Sequence, residues 1–388
     1  MIAVIADDLT GAAELAGIGL NHGLRTEVST TVDEHCDADL LVIATDTRSL
    51  AVNEAKNIVH DLTIRLQRLK PRFLFKKIDS VLRGNIIEEL QSQLTASRLK
   101  RALIVPGNPH HSKKVIGDTF HYNGQPIHLS DFANDPTFPA LSSNIIELLR
   151  ADGSISLIKK EDRLPSTGII IGAAEDEDDL KYWISQTDGN ILLAGSANLF
   201  TTLLEYLTTP QKIETPDPET TGRRLFVFGS TFYQGKLNLL DGKHNNIPVH
   251  YVPAATICAE TSGDNVHALF ASHVASSIVA NNNAIIAINP DFIKDIKVDP
   301  VLLSHKMAAI VKQVIDHTDL HELLIEGGAT AWAILERLNI KKLYPSKLIA
   351  PGVIHMRIAG NNQLCLTLKP GSYPWPAPVW GTNNYTCI

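Results

Sequence analysis

The chain has 388 residues, of which 44% are hydrophobic and 20% charged, with a formal net charge of -7; this composition excludes a disordered or fibrous chain and predicts two domains with substantial cores. The mild, unblocked acidity excludes a nucleic-acid or anionic-membrane surface as the main partner. The four cysteines, Cys36, Cys258, Cys365 and Cys387, have the spacing of neither a zinc site nor a disulfide framework.

The first apolar run stops at Asp7, too early for a signal peptide or a membrane span, so a cytoplasmic protein is expected. Short apolar runs then alternate with helical periodicity, the pattern of an α/β protein with largely parallel sheets. Strands are predicted at Ile2 to Ala6, Leu40 to Thr45, Phe73 to Lys77, Ala102 to Pro106, Gly168 to Gly172 and Asn190 to Ala194. A helix opens at about Gly11, and clearer ones span Glu88 to Arg98 and Leu199 to Leu207. The polar, Pro-rich stretch NPHHSKKVIGDTFHYNGQPIHLSDFANDPTFP reads as an extended surface excursion able to lie over a site.

The segment TTPQKIETPDPETTGRR breaks the rhythm with three prolines and almost no apolar content, which marks a linker between Thr208 and Gly222. Alternation restarts after it, with RLFVFGS, IPVHYV, NAIIAIN and LHELLIEGG as strands and helices around His267 to Ala280 and Val301 to His317. The fold expected is therefore two α/β domains, Rossmann-like and three-layered, over residues 1–210 and 222–388.

In open α/β sheets, ligands bind beyond the carboxyl ends of the strands. Asp7 and Asp8 stand at such an end, where an unpaired carboxylate pair is costly. Capping explains one of them, since acidic residues suit a helix start and Thr10 could serve as the cap. A phosphoaspartate motif is set aside because it needs Asp-x-Asp, and this sequence has Asp-Asp-x-Thr. FKKIDSVLRGN crowds a second strand end: Lys76, Lys77 and Arg83 offer cations to a carboxylate or phosphate, while Asp79 and Asn85 can hold hydroxyls. LVIATDTRS adds Asp46 and Arg48 at a third. Each motif alone is compatible with an ordinary βα loop, but three in one domain make a pocket for a small polyhydroxylated anion.

In the second half, Gly229 and Ser230 follow one strand, Gly327 and Gly328 lie between a strand and a helix, and Gly371 follows the apolar run Leu364 to Leu368. Paired glycines let backbone amides approach a phosphate. Neither a Walker motif nor GxGxxG occurs, and the histidines lack metal-binding spacing, so no metal tightly held by protein ligands is expected. Trp332, Trp375 and Trp380 read as core or interface anchors.

Taken together, IADDLTGA, KKIDSVLRGN, FGS, GGATA, APGV and LKPGS resemble the four-carbon acid sugar kinases over almost the whole chain. The resemblance implies an N-terminal sugar-acid-binding domain, a C-terminal nucleotide-binding domain, ATP and Mg2+ as cofactors, and phosphorylation of the terminal hydroxyl of D-threonate, D-erythronate or 3-oxo-tetronate. It places the family's sugar-acid motif on Asp7, Asp8, Thr10 and Gly11 and its basic motif on Lys77, Asp79, Ser80, Arg83, Gly84 and Asn85, whose polar side chains are the implied substrate contacts, and Arg48 is added to them from its strand end. Nucleotide contacts fall on Ser230, Gly327, Gly328, Ala329, Thr330 and Gly371. Val81, Ala329, HHSKK and GSYPWPAPVW depart from the usual pattern.

On this reading Asp8, Asp7 or Asp79 accepts the proton of the acceptor hydroxyl, with Asp8 favoured, and Arg83 with Lys77 clamps the substrate carboxylate or the transferring phosphoryl group. A non-catalytic sugar-acid sensor and a nucleotide-independent hydrolase or isomerase are the alternatives. A homo-oligomer is compatible with the sequence.

Overall fold

The computed structural model describes residues 1–135, 138–151, 155–208, 222–229, 247–258, 264–289, 299–371 and 373–380. The chain divides into two compact units, Met1–Ile213 and Glu214–Ile388. Most of the expected linker, and Ser230, lie outside the described residues. Among the described residues no helix is long and apolar enough to cross a membrane.

The strands of the first unit are β1 (Ile2–Ala6), β2 (Thr26–Ser29), β3 (Leu40–Ala44), β4 (Phe73–Lys77), β5 (Arg101–Val105), β6 (Lys113–Ile116), β7 (Thr119–Tyr122), β8 (Gln125–Pro126), β9 (Ile155–Ile158), β10 (Gly168–Gly172) and β11 (Ile191–Gly195). Eight of them form a sheet in the order β2-β3-β1-β4-β11-β5-β10-β9, in which every pairing is parallel. The central strands IAVIA and LLVIA are apolar throughout because both faces of a parallel sheet are covered.

The helices are α1 (Leu9–Asn21), α2 (Val52–Arg68), α3 (Ile86–Ser97), α4 (Ile145–Leu148), α5 (Glu177–Ser185) and α6 (Ala197–Leu207). Strand alternation sorts the core between them. Ala3, Ile5, Leu41, Ile43 and Leu74 join Val59, Leu62 and Leu66 of α2 and Ile86, Ile87 and Leu90 of α3. Phe75, one residue on from Leu74, points the other way and meets Phe200 of α6 edge to face at 5.1 Å. The same alternation separates the two lysines that end β4. Lys76 is buried against Glu89 of α3 at 2.5 Å, so it is not one of the cations offered to a ligand, and only Lys77 remains on the side of α1.

The excursion expected as an extended loop is instead a three-stranded antiparallel sheet, β6-β7-β8. Its hairpins turn at Gly117, with φ 62, and at Asn123-Gly124, with φ 51 and 80, the backbone that two-residue hairpins favour. Val115, Phe120 and Ile127 are fully buried and root it in the core.

The second unit has β12 (Arg224–Phe228), β13 (Val249–Tyr251), β14 (Asn283–Ala287), β15 (Glu322–Glu326), β16 (Lys342–Ala350), β17 (Val353–Ile358) and β18 (Asn361–Lys369). Within the unit these run in the order β13-β14-β12-β15-β18-β17-β16. The pairings from β13 to β18 are parallel, whereas β18-β17-β16 is an antiparallel meander. Two-residue turns ending in Gly352 and Gly360, each with φ 74, impose that reversal. Trp380 stacks on Phe226 at 5.2 Å, and Trp375 packs on both Phe226 and Phe228, so these tryptophans are core anchors as expected.

Candidate functional site

In the first unit β1 lies between β3 and β4, and the chain leaves β1 on one side and returns on the other. This is a topological switch point, where the carboxyl ends of neighbouring strands open a crevice. The turns after β1, β3 and β4 carry Asp7 and Asp8, Thr45 to Arg48, and Asp79 to Asn85.

Asp8 has extended backbone and caps α1, its Oδ1 accepting from the Gly11 amide at 2.9 Å and its Oδ2 from the Thr10 hydroxyl at 2.6 Å. Thr10 is therefore inside the helix and supports the cap instead of being it. A Cβ at Gly11 would stand 2.5 Å from Asp8 Oδ1 and 3.2 Å from Lys77 Nζ, which is why glycine occupies this position.

Asp7 is held from the β3 side by Arg48, which donates from Nε to Oδ2 at 2.8 Å and from Nη2 to Oδ1 at 3.1 Å. The same guanidinium lies 3.1 Å from Asp8 Oδ1 and 3.5 Å from Asp79 Oδ1. One arginine thus joins all three carboxylates. Burial opposes its charge, but Asp7, Asp8 and Asp79 outweigh burial and hold Arg48 well above its ordinary value. Asn85 donates to the carbonyl of Leu50 at 2.9 Å, so its amide pins the turn that carries Arg48 instead of being presented to a ligand hydroxyl.

Asp79 is chelated by Arg83, with Nε to Oδ2 and Nη2 to Oδ1 both 2.9 Å, and accepts from the Val81 and Arg83 amides. Burial would raise its pKa, but the charges of Arg83 and Arg48 hold it well below the carboxylate range. In Asp8 burial is likewise outweighed, by Arg48, Lys77 and the Thr10 hydroxyl, and its pKa is lowered. Arg83 also donates from Nη1 to Asp135 at 2.9 Å. Its charge, expected for a substrate anion, is already met by two carboxylates.

Two buried lysines differ. Lys77 donates to the Ile78 carbonyl at 2.9 Å and Lys113 to the Ser80 hydroxyl at 2.6 Å, and among the described residues neither has a carboxylate within 4.0 Å. Lys113 is missed by sequence reasoning, because it sits 33 residues from Ser80 in a polar stretch where a lysine pair looks solvated. The crevice therefore combines hydroxyl-accepting carboxylates with cations able to take an acid group.

In the second unit Gly327, with φ 101, is the N-cap position of the helix Gly328–Arg337, and no side chain caps it. The first-turn amides are left to a phosphate or to water. Ala329 is exposed on that turn, and Gly371 lies in the turn after β18. Thr330 is buried and packs against Gly229, where any Cβ would collide with its side chain, so it braces the turn from below. Lys369, unnoticed in the sequence, lies 3.1 Å from Glu326 Oε2, donates to the carbonyls of Pro370 and Tyr373, and stands over the Trp375 ring. Burial pushes its ammonium down to about 7.

Residues 2–203 match a family described as a sugar-binding N-terminal domain, and residues 255–373 one described as a nucleotide-binding C-terminal domain. The chain belongs to the four-carbon acid sugar kinase family. The chain is 33% identical to a D-threonate kinase of Salmonella typhimurium over 155 residues, a match spanning 39% of this chain and 37% of that protein. Similarity to a 3-oxo-tetronate kinase of Pseudomonas fluorescens is lower, 22%, but covers 96% of this chain and 94% of that one. A solved structure from Salmonella typhimurium shares the fold with a TM-score of 0.76 at 17% identity, over 96% of both chains. The whole crevice described for the first unit lies within the segment that matches the sugar-binding family.

Proposed function

We propose that the chain is an ATP-dependent kinase that phosphorylates the terminal hydroxyl of D-threonate, D-erythronate or 3-oxo-tetronate, with residues 1–210 binding the acid and residues 222–388 the nucleotide. The observation that carries this reading is the meeting of Asp7, Asp8 and Asp79 on one arginine at a strand switch point. It is made in a chain related over 96% of its length to a 3-oxo-tetronate kinase.

Asp8 is the proton acceptor. Its side chain is 13% exposed, against 5% for Asp7 and 7% for Asp79, and among the described residues its Oδ2 accepts only the Thr10 hydroxyl. Its lowered pKa suits a group that orients a hydroxyl and takes the proton late, as phosphoryl transfer requires. Asp7 and Arg48 hold Asp8 in place, and Asp79 fixes Arg83 at the rim. ATP supplies the phosphoryl group, and Mg2+ offsets its charge. The uncapped amides at Gly328–Arg337 fit a phosphate, with Gly327 giving the close backbone approach. Among the described residues no cluster of three or more His, Cys, Asp or Glu side chains fits a metal, so Mg2+ would be held chiefly by phosphate oxygens and water.

The test is ADP release from ATP and Mg2+ with purified protein, against D-threonate, L-threonate, D-erythronate, L-erythronate and 3-oxo-tetronate, with a no-acceptor control. Turnover with one of these acids is expected. Silence with all five would sink the assignment.

A further inference from the structure

We propose that Lys113, carried by the β6-β7-β8 sheet, binds the carboxylate of the acid substrate and is the residue by which the site prefers an acid to an uncharged polyol. The proposal rests on the acid-sugar reading of the site and adds the group that recognises the acid.

The first observation is a comparison of the cations in the crevice. Arg48 is taken up by three carboxylates and Arg83 by two. Their charge is therefore largely spent inside the protein. Lys113 is 8% exposed, and its Nζ is paired at 2.6 Å with a neutral hydroxyl, that of Ser80, next in sequence to Asp79. A buried ammonium without a carboxylate is costly to keep, and an incoming anion removes that cost.

The second observation is how the lysine is held. Its backbone exchanges hydrogen bonds with Asn108, at 2.8 and 3.1 Å, which ties β6 to the end of β5. Its Nζ lies 6.0 Å from the ring centres of both Tyr122 and Phe132. The flexible stem is thus fixed between rings and directed at Ser80, so little rotamer entropy is lost on binding. The groups facing it are Asp79 and Arg83 after β4, Lys77 on β4, Glu14 on α1, His111 before β6 and Tyr122 on β7. Burial, with Lys77 and Arg83, pushes its pKa down to about 8 against the pull of Asp79 and Glu14. Acid affinity should accordingly weaken as pH rises above about 8, because the free protein loses the charge that an anion would hold.

The experiment is calorimetric binding of the same acids, and of the matching four-carbon polyols, to the wild type and to Lys113→Met, Lys113→Arg and Ser80→Ala. Lys113→Met should lose acid affinity about 10- to 100-fold, the range of a charge-assisted hydrogen bond, with polyol affinity unchanged. Lys113→Arg should recover part of the loss and abolish the weakening above pH 8. Ser80→Ala, which keeps the charge and frees its aim, should lose less than Lys113→Met. Should Lys113→Met not fold, the arginine and alanine variants carry the same comparison. Equal acid affinity in wild type and variants, equal loss of acid and polyol, or a wild type that binds no acid each overturns the proposal. Lys113-dependent acid binding without ADP release would instead overturn the kinase assignment and leave this inference standing.

Discussion

Arg48 grips Asp7 with two nitrogens, Nε at 2.8 Å and Nη2 at 3.1 Å, and so ties the end of β3 to the end of β1. The rest of its guanidinium reaches Asp8 and Asp79. Removing it leaves three buried carboxylates facing one another. Arg48→Ala should therefore cost about 3–5 kcal/mol of stability, the range for breaking a buried ion pair, and Arg48→Lys should recover little because one ammonium cannot span three partners. Denaturant titration reads this directly; a loss below about 1 kcal/mol would show that the carboxylates relax without their arginine.

Asp8 combines two roles that one substitution can separate. Asparagine caps a helix about as well as aspartate, so Asp8→Asn should keep the start of α1, and its stability cost at neutral pH should be that of the lost charge facing Arg48 and Lys77. It removes the proposed proton acceptor, and kcat should fall about 10²- to 10⁴-fold with the KM for the acid changed far less. Near-normal turnover with unchanged acid affinity would remove Asp8 from the chemistry.

Asp79 should make the stability of the protein acid-sensitive. Its pKa in the folded chain is well below the ordinary 3.8, so its contribution to stability is complete above the unfolded pKa and lost as pH falls through the folded one. Asp79→Asn should be less stable than wild type at neutral pH, with the gap narrowing below pH about 4. Melting temperatures measured from pH 7 to pH 3 would test it, and a gap that stays constant would exclude the linkage.

Lys369 is the corresponding fastener of the second unit, joining Glu326 to the turn that carries Gly371. Lys369→Met takes one ionic partner from the buried Glu326 and should destabilise by about 1.5–3 kcal/mol, the range for a charged hydrogen bond. Because the turn it holds is on the proposed nucleotide side, the KM for ATP should rise while that for the acid stays put. A rise in the acid KM alone would place the effect elsewhere.

Much of this was legible from the order of residues. Alternation of apolar runs and helical periods determined the α/β class and located six strands of the first unit, β1, β3, β4, β5, β10 and β11, to within a residue, because burial on both faces of a parallel sheet demands continuous apolar runs. Position at strand ends likewise marked Asp7, Asp8, Asp79 and the Gly327-Gly328 turn, since these depend on neighbours a few residues away. Two further features also have local signals: the Asn123-Gly124 pair, which turns a hairpin inside the polar excursion, and the strand alternation that sends Lys76 to Glu89.

What only the tertiary structure decided is which charges are already spent. Arg48 meets Asp7 across 41 residues, Arg83 meets Asp135 across 52, and Lys113 meets Ser80 across 33. Such pairings follow from strand order and from where a hairpin folds back, neither of which spacing encodes. A cation's availability to a ligand is a difference between burial and the partners that surround it, and those partners come from distant parts of the chain.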